Sequence, residues 1–142
     1  MGNHYAKLVP IKAKTPKHES FNRPSIEYTG HGNTLCYDTY GGRFFRASRD
    51  WVEEGCNRAV ADHDEREEYV NYNTLYSYWG ISESDFGYAW GWTPDKEYYE
   101  KISFEITYVD DLSNPICEKM GEPIIFIEPN RDTVPIDWYM EV

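Results

Sequence analysis

Hydrophobic and polar positions alternate with a period of two in several stretches of the chain. Residues 102–109 are the clearest: Ile102, Phe104, Ile106 and Tyr108 share one face, and Ser103, Glu105 and Thr107 share the other. That pattern predicts a strand with one face on a core and one in water. Residues 25–29 and 34–38 read the same way across a Gly30-His31-Gly32-Asn33 turn, with Leu35 and Tyr37 opposite Cys36 and Asp38. Gly41-Gly42 supplies residues that accept positive φ, so residues 43–47 form the return strand of a hairpin. Residues 123–129 are apolar on both faces and bracketed by prolines, which limits them to a short covered strand, and a last extended piece follows Pro135 at 136–139.

After Ser48 the period changes to that of a helix. Trp51, Val52, Cys56, Ala59 and Val60 fall on one face, Ser48 or Asp50 can cap the free N–H groups, and Glu53 can complete a capping box from Asp50. The polar run Asp62-His63-Asp64-Glu65-Arg66-Glu67-Glu68 then reads as a solvated helix end. Asn73 reads as the cap of a second helix, closed by Gly80, and Ser82 as the start of a further helical turn with Asp85 three residues on. Leu75, Tyr78, Trp79 and Phe86 form an aromatic cluster for the sheet, and the glycines after Phe86 end the helical pattern. The order β-β-β-α-α-β-β predicts an α+β domain, an antiparallel sheet of about four to five strands with two to three helices packed on it.

Charge divides the chain in two. Of a net −11, residues 1–23 carry +4, from Lys7, Lys12, Lys14, Lys17 and Arg23 against Glu19, which leaves −15 for residues 24–142. With Pro10 and Pro16 inside it, the first segment reads as an extended basic arm on a single acidic domain. No apolar run is long enough to span a bilayer and no secretory h-region opens the chain, so a soluble, intracellular, cytoplasmic protein is expected.

Candidate chemistry is sparse. Cys36, Cys56 and Cys117 form no CxxC, Asp62 to Glu68 lack an EF-hand's ligand order, and the double glycine lacks a phosphate-cradle spacing, so no metal and no cofactor is expected. Cys36 and Asp38 on one strand face near His31 allow a Cys–His pair to be drawn, without a surrounding signature, and no catalytic residue is assigned. Binding has more support. Tyr88, Trp90, Trp92, Tyr98 and Tyr99 cluster around a glycine-bearing loop, and such side chains give rigid contact area at small entropy cost. Asp62, Asp64, Glu65, Glu67 and Glu68 are the acidic-surface candidates. The domain's charge argues against direct nucleic-acid binding and for a basic protein partner.

The hairpin Asn33-Thr34-Leu35-Cys36-Tyr37-Asp38 to Gly42-Arg43-Phe44-Phe45-Arg46-Ala47-Ser48, then Asn73-Thr74-Leu75-Tyr76-Ser77-Tyr78-Trp79-Gly80-Ile81, then Gly91-Trp92, resembles an uncharacterised family of small phage and prophage proteins of Gram-positive bacteria. The likeness runs from about Ile26 to the C-terminus. It implies a phage or prophage origin, hence a place in the host bacterial cytoplasm or in association with the virion, and supplies no activity. Many relatives carry apolar N-terminal segments suited to a membrane, where this chain opens with its basic arm.

Three functions follow as expectations. The first is a non-enzymatic interaction protein that binds a host or phage protein, such as an acidic inhibitor of a host nucleic-acid-binding or defence protein. The second is a phage structural or assembly accessory that docks through the arm, to another protein or to itself as an oligomer. The third is a small-ligand, nucleotide-like binder or hydrolase that uses the aromatic loop.

Overall fold

The computed structural model describes residues 24–93, 101–130 and 134–135. The basic arm, Tyr98, Tyr99 and residues 136–139 lie outside the described residues. The strands are β1 (Ile26–Tyr28), β2 (Leu35–Asp38), β3 (Arg43–Arg46), β4 (Val70–Asn71), β5 (Trp90–Trp92), β6 (Phe104–Val109), β7 (Ile124–Pro129) and β8 (Val134–Pro135). The helices are α1 (Arg49–Val60), α2 (Tyr72–Trp79), α3 (Asp85–Ala89) and α4 (Pro115–Met120), and a π-helical turn, Ala61–Glu65, extends α1. The α+β class and the rough element order match the sequence pattern.

The main sheet has five strands in the order β1-β3-β2-β7-β6. It is mixed, which corrects the antiparallel expectation: β2–β3 and β6–β7 are antiparallel, whereas β1–β3 and β2–β7 are parallel. The loop after β1 explains the first parallel pair. Instead of a tight turn onto β2, it hooks over the end of β3, where Ser48 N–H donates to His31 O at 2.7 Å and Ala47 N–H to Thr34 O at 3.0 Å. Gly32 makes this passage: at φ 118°, an added Cβ would stand 2.1 Å from Ser48 N. The chain therefore crosses β3 and places β1 on its outer side.

One sheet face, with Cys36, Phe45, Ile125 and Ile127, packs on Val52, Cys56 and Ala59 of α1 and on Leu75, Tyr76 and Trp79 of α2, all buried. Phe45 stacks on Trp79 at 4.9 Å between ring centroids, and Trp79 Nε1–H donates to Val52 O at 3.1 Å, tying α2 to α1. The other face carries Leu35, Tyr37, Phe44 and Ile124, with Cys117 and Met120 of α4 against it.

The caps refine the predicted starts. Ser48, not Asp50, caps α1 by accepting from Trp51 N–H, and Asn71, not Asn73, caps α2 by accepting from Thr74 N–H. Asn73 instead ties α2 to the next segment: its amide donates to Ser84 O at 3.1 Å and accepts from Ser84 N–H at 2.9 Å. Ser84, rather than Ser82, then caps α3. That helix continues through Gly87 because Gly87 lies against Asn73, where a Cβ would meet the amide oxygen at 2.1 Å. Gly80 closes α2 in the left-handed conformation, as the pattern predicts.

Candidate functional site

The polar run after α1 is not a solvated helix end throughout. Arg66 N–H donates to Ala61 O, an i to i+5 bond that widens the turn and carries Asp62 and His63 inward. Asp62 is 4% exposed and His63 0%. Asp62 accepts from the Tyr78 hydroxyl and pairs with Arg66. The Tyr78 hydroxyl is held above its ordinary range, first by that bond to Asp62 and then by burial. His63 Nδ1 lies 2.7 Å from Asp64, and Nε2 lies 2.8 Å from Thr93 O. A carbonyl oxygen can only accept, so geometry assigns a proton to Nε2. Asp64 also accepts from Ile102 N–H at 3.3 Å.

Asp62 and Asp64 are thus structural, a correction to their reading as surface carboxylates. Glu65, Glu67 and Glu68 remain exposed. Glu67 takes φ 57°, a left-handed turn that returns Glu68 N–H to Asp62 O at 3.0 Å.

The aromatic candidates separate in the same way. Trp92 is 1% exposed and belongs to the core, edge-on to Phe104 at 5.5 Å and tilted against Tyr72 at 4.9 Å. Trp90 is half-buried beside Phe86, and Tyr88 is 62% exposed.

A small second sheet brings the acidic and aromatic segments together. In its order β4-β5-β8, Val70 lies opposite Trp92 and Asn71 opposite Gly91, while the Asn71 amide donates to Tyr88 O at 3.3 Å. Exposed Glu67, Glu68 and Tyr69 therefore run into the strand beside the one that follows Tyr88. A groove of about 430 Å³ next to Tyr88 is lined by Asn71, Asn73, Thr74, Ser77, Tyr78 and Glu83. Its amides and hydroxyls bond within the protein: Asn71 accepts from Thr74, Ser77 donates to Thr74 O, and Tyr78 donates to Asp62. Such a groove is shaped by internal bonds and leaves few donors aimed at a ligand.

The other reactive groups are also enclosed. Cys36 and Asp38 share a face as read, but the Cys36 thiol points at Thr34 O and Ala47 O, while His31 stacks flat on Trp51 at 3.6 Å. No Cys–His pair forms. Burial pushes the Cys36 thiol up to about 12 and raises those of Cys56 and Cys117, so none is a ready thiolate.

Asp38 is 1% exposed and accepts three bonds, from Tyr76 at 2.6 Å and from Tyr40 and Gly41 N–H at 3.2 Å each. Burial pushes it up to about 6 against the pull of those donors. The double glycine serves this network rather than a phosphate. Gly42 takes φ 73°, and a Cβ on Gly41 would stand 2.1 Å from the Tyr76 hydroxyl and 2.5 Å from the Asp38 carboxylate.

Near it, Glu27 accepts from Ser82 N–H at 2.9 Å and pairs with Arg43, which lies over the Tyr76 ring at 4.7 Å. Burial would raise the Glu27 carboxyl, and the Ser82 and Arg43 bonds outweigh it. Among the described residues, no group of three or more His, Cys, Asp or Glu is placed to hold a metal ion.

With the enclosed chemistry and the exposed carboxylates placed, the sequence comparison gives the lineage. Residues 8–139 match a family of unknown function, DUF6353. The chain belongs to this family. No curated protein and no solved structure shows a significant match. Among the described residues, no helix is long and apolar enough to cross a membrane. The family match takes in residues 8–23, most of the basic N-terminal segment.

Proposed function

We propose that this protein is a non-enzymatic binding protein for a basic protein partner, engaged through the carboxylates beside β4 and the exposed ring of Tyr88. The observation that carries the reading is the contrast between enclosed and exposed groups. Cys36, Asp38 and His63 are buried and hydrogen-bonded within the fold and Cys56 is buried in the core, whereas Glu65, Glu67 and Glu68 are exposed in one run that leads into the strand beside the aromatic segment. A run of exposed carboxylates near an exposed ring resembles the chemistry a nucleic-acid-binding groove receives, and complementary potential both speeds and orients such an encounter.

The likeness of the hairpin, helix and Gly91-Trp92 motifs to phage and prophage proteins supports a partner in the bacterial host cytoplasm, such as a nuclease or another defence protein. A pull-down from host lysate tests this: nucleic-acid-binding proteins are recovered at low salt and lost as salt rises. Recovery of none at low salt contradicts it.

The span of the family match favours a second reading, in which the protein is an assembly component that docks through its arm. Light scattering on the full chain tests it, with an oligomer that disappears when Lys12 and Lys14 are replaced by Glu.

A further inference from the structure

β6 is an edge strand with a groove beside it. In the antiparallel register with β7, Phe104 lies opposite Pro129, Ile106 opposite Ile127 and Tyr108 opposite Ile125. Pro129 has no N–H, and Arg49 reaches Ile106 O from outside the sheet, donating at 2.8 Å. The amides of Phe104, Ile106 and Tyr108 therefore face away from β7, and no described strand pairs with them. On the α1 side of this edge lies a groove of about 370 Å³ with Cys56, Val60, Phe104 and Ile106 in its wall and Glu53 at its rim. Tyr108, 51% exposed, continues the apolar strip on that face. On the opposite face Glu105 is exposed, and Glu128 is its register partner on β7.

A strand added here needs small or apolar side chains on the groove side and cations on the carboxylate side. Residues 11–15 read Ile11-Lys12-Ala13-Lys14-Thr15, with that alternation and no proline inside it. We propose that residues 11–15 of a second copy of the chain add to β6 as a sixth strand, with Ile11 and Ala13 toward the groove and Lys12 and Lys14 beside Glu105.

A second copy is proposed as the source because the arm precedes β1 at one edge of the sheet and β6 is the other edge, so two copies related by a two-fold axis can fill both β6 edges with the same contact. Reciprocal exchange of arms closes a two-fold dimer, and the +4 arm against the −15 remainder supplies the attraction. Arg49, which pairs with Glu53 and occupies the Ile106 carbonyl, guards the edge until the arm displaces it.

This inference rests on the arm-docking reading, and its test separates the two. Amide hydrogen exchange of the full-length protein is followed over a concentration series together with its mass by light scattering. The expected result is a dimer in which the Phe104, Ile106 and Tyr108 amides exchange at least tenfold more slowly than in the dilute monomer. Ala13→Pro and the Lys12→Glu, Lys14→Glu pair abolish both effects, and Arg49→Ala strengthens the dimer. A dimer lost in the Lys variants while the β6 amides exchange freely overturns this site and leaves arm docking standing. A monomer at every concentration overturns both, and concentration-independent protection assigns the edge to the chain's own arm, against the proposal.

Discussion

Tyr76 on α2 donates its hydroxyl to the Asp38 carboxylate on β2 at 2.6 Å, across 38 residues of chain and inside the core. Four residues earlier on the same helix, Tyr72 is equally buried, but its hydroxyl has no hydrogen-bond partner. Two tyrosines one turn apart thus make opposite contributions. Tyr76→Phe leaves a buried carboxylate short of a donor and is expected to cost roughly 1–3 kcal/mol in urea unfolding. Tyr72→Phe removes only an unsatisfied hydroxyl and is expected to be neutral or to stabilise by up to about 1 kcal/mol. Equal losses in the two variants would show that the Asp38 bond is not what distinguishes them.

The same carboxylate gives the fold a pH dependence. Asp38 binds its proton more tightly in the folded chain, at about 6 against an ordinary 3.8, so its protonated form is the one the fold favours. Its contribution is therefore largest below about pH 4 and is lost as the pH rises through about 6, with a ceiling on the order of 3 kcal/mol. Asp38→Asn, which resembles the protonated side chain, is expected to flatten that fall between pH 4 and 7. Glu27 and Glu122 are held below their ordinary range and act in the opposite sense at lower pH, equally in both proteins, so the difference between the two profiles isolates Asp38. Parallel profiles would contradict this account.

Gly41 permits the close approach of the two groups. Gly41→Ala places a methyl against both the Tyr76 hydroxyl and the Asp38 carboxylate, and is expected to cost roughly 1–3 kcal/mol by overpacking. In the Tyr76→Phe background the penalty should shrink, because one of the two obstructing atoms is gone. A double-mutant cycle measures the coupling. Strict additivity would place the strain elsewhere.

Much of the main sheet was legible because residues 34–38, 43–47, 102–109 and 123–129 carry their period or their turn residues openly. The parallel placement of β1 was not, since it depends on how the Gly32 loop passes Ser48, a contact with no local signature. Helix α4 had signals that residues 113–115 masked when read only as a break: Asn114 caps, Pro115 opens the first turn and Gly121 closes it at φ 76°. β4, β5 and β8 are two or three residues each, too short to show a period. The burial of Asp62, His63 and Trp92 depends on a π-turn and on partners far along the chain, so composition alone assigned the two acids of that turn to the surface.

Charge reversal tests the central claim most directly. Glu65→Lys, Glu67→Lys and Glu68→Lys are made together, and binding to the partner recovered from lysate is titrated at low and at raised salt. The three side chains are exposed, so the fold should persist. The account predicts an affinity at least tenfold weaker than that of the unaltered protein, with a shallower dependence on salt. An unchanged affinity with an unchanged salt dependence would contradict it.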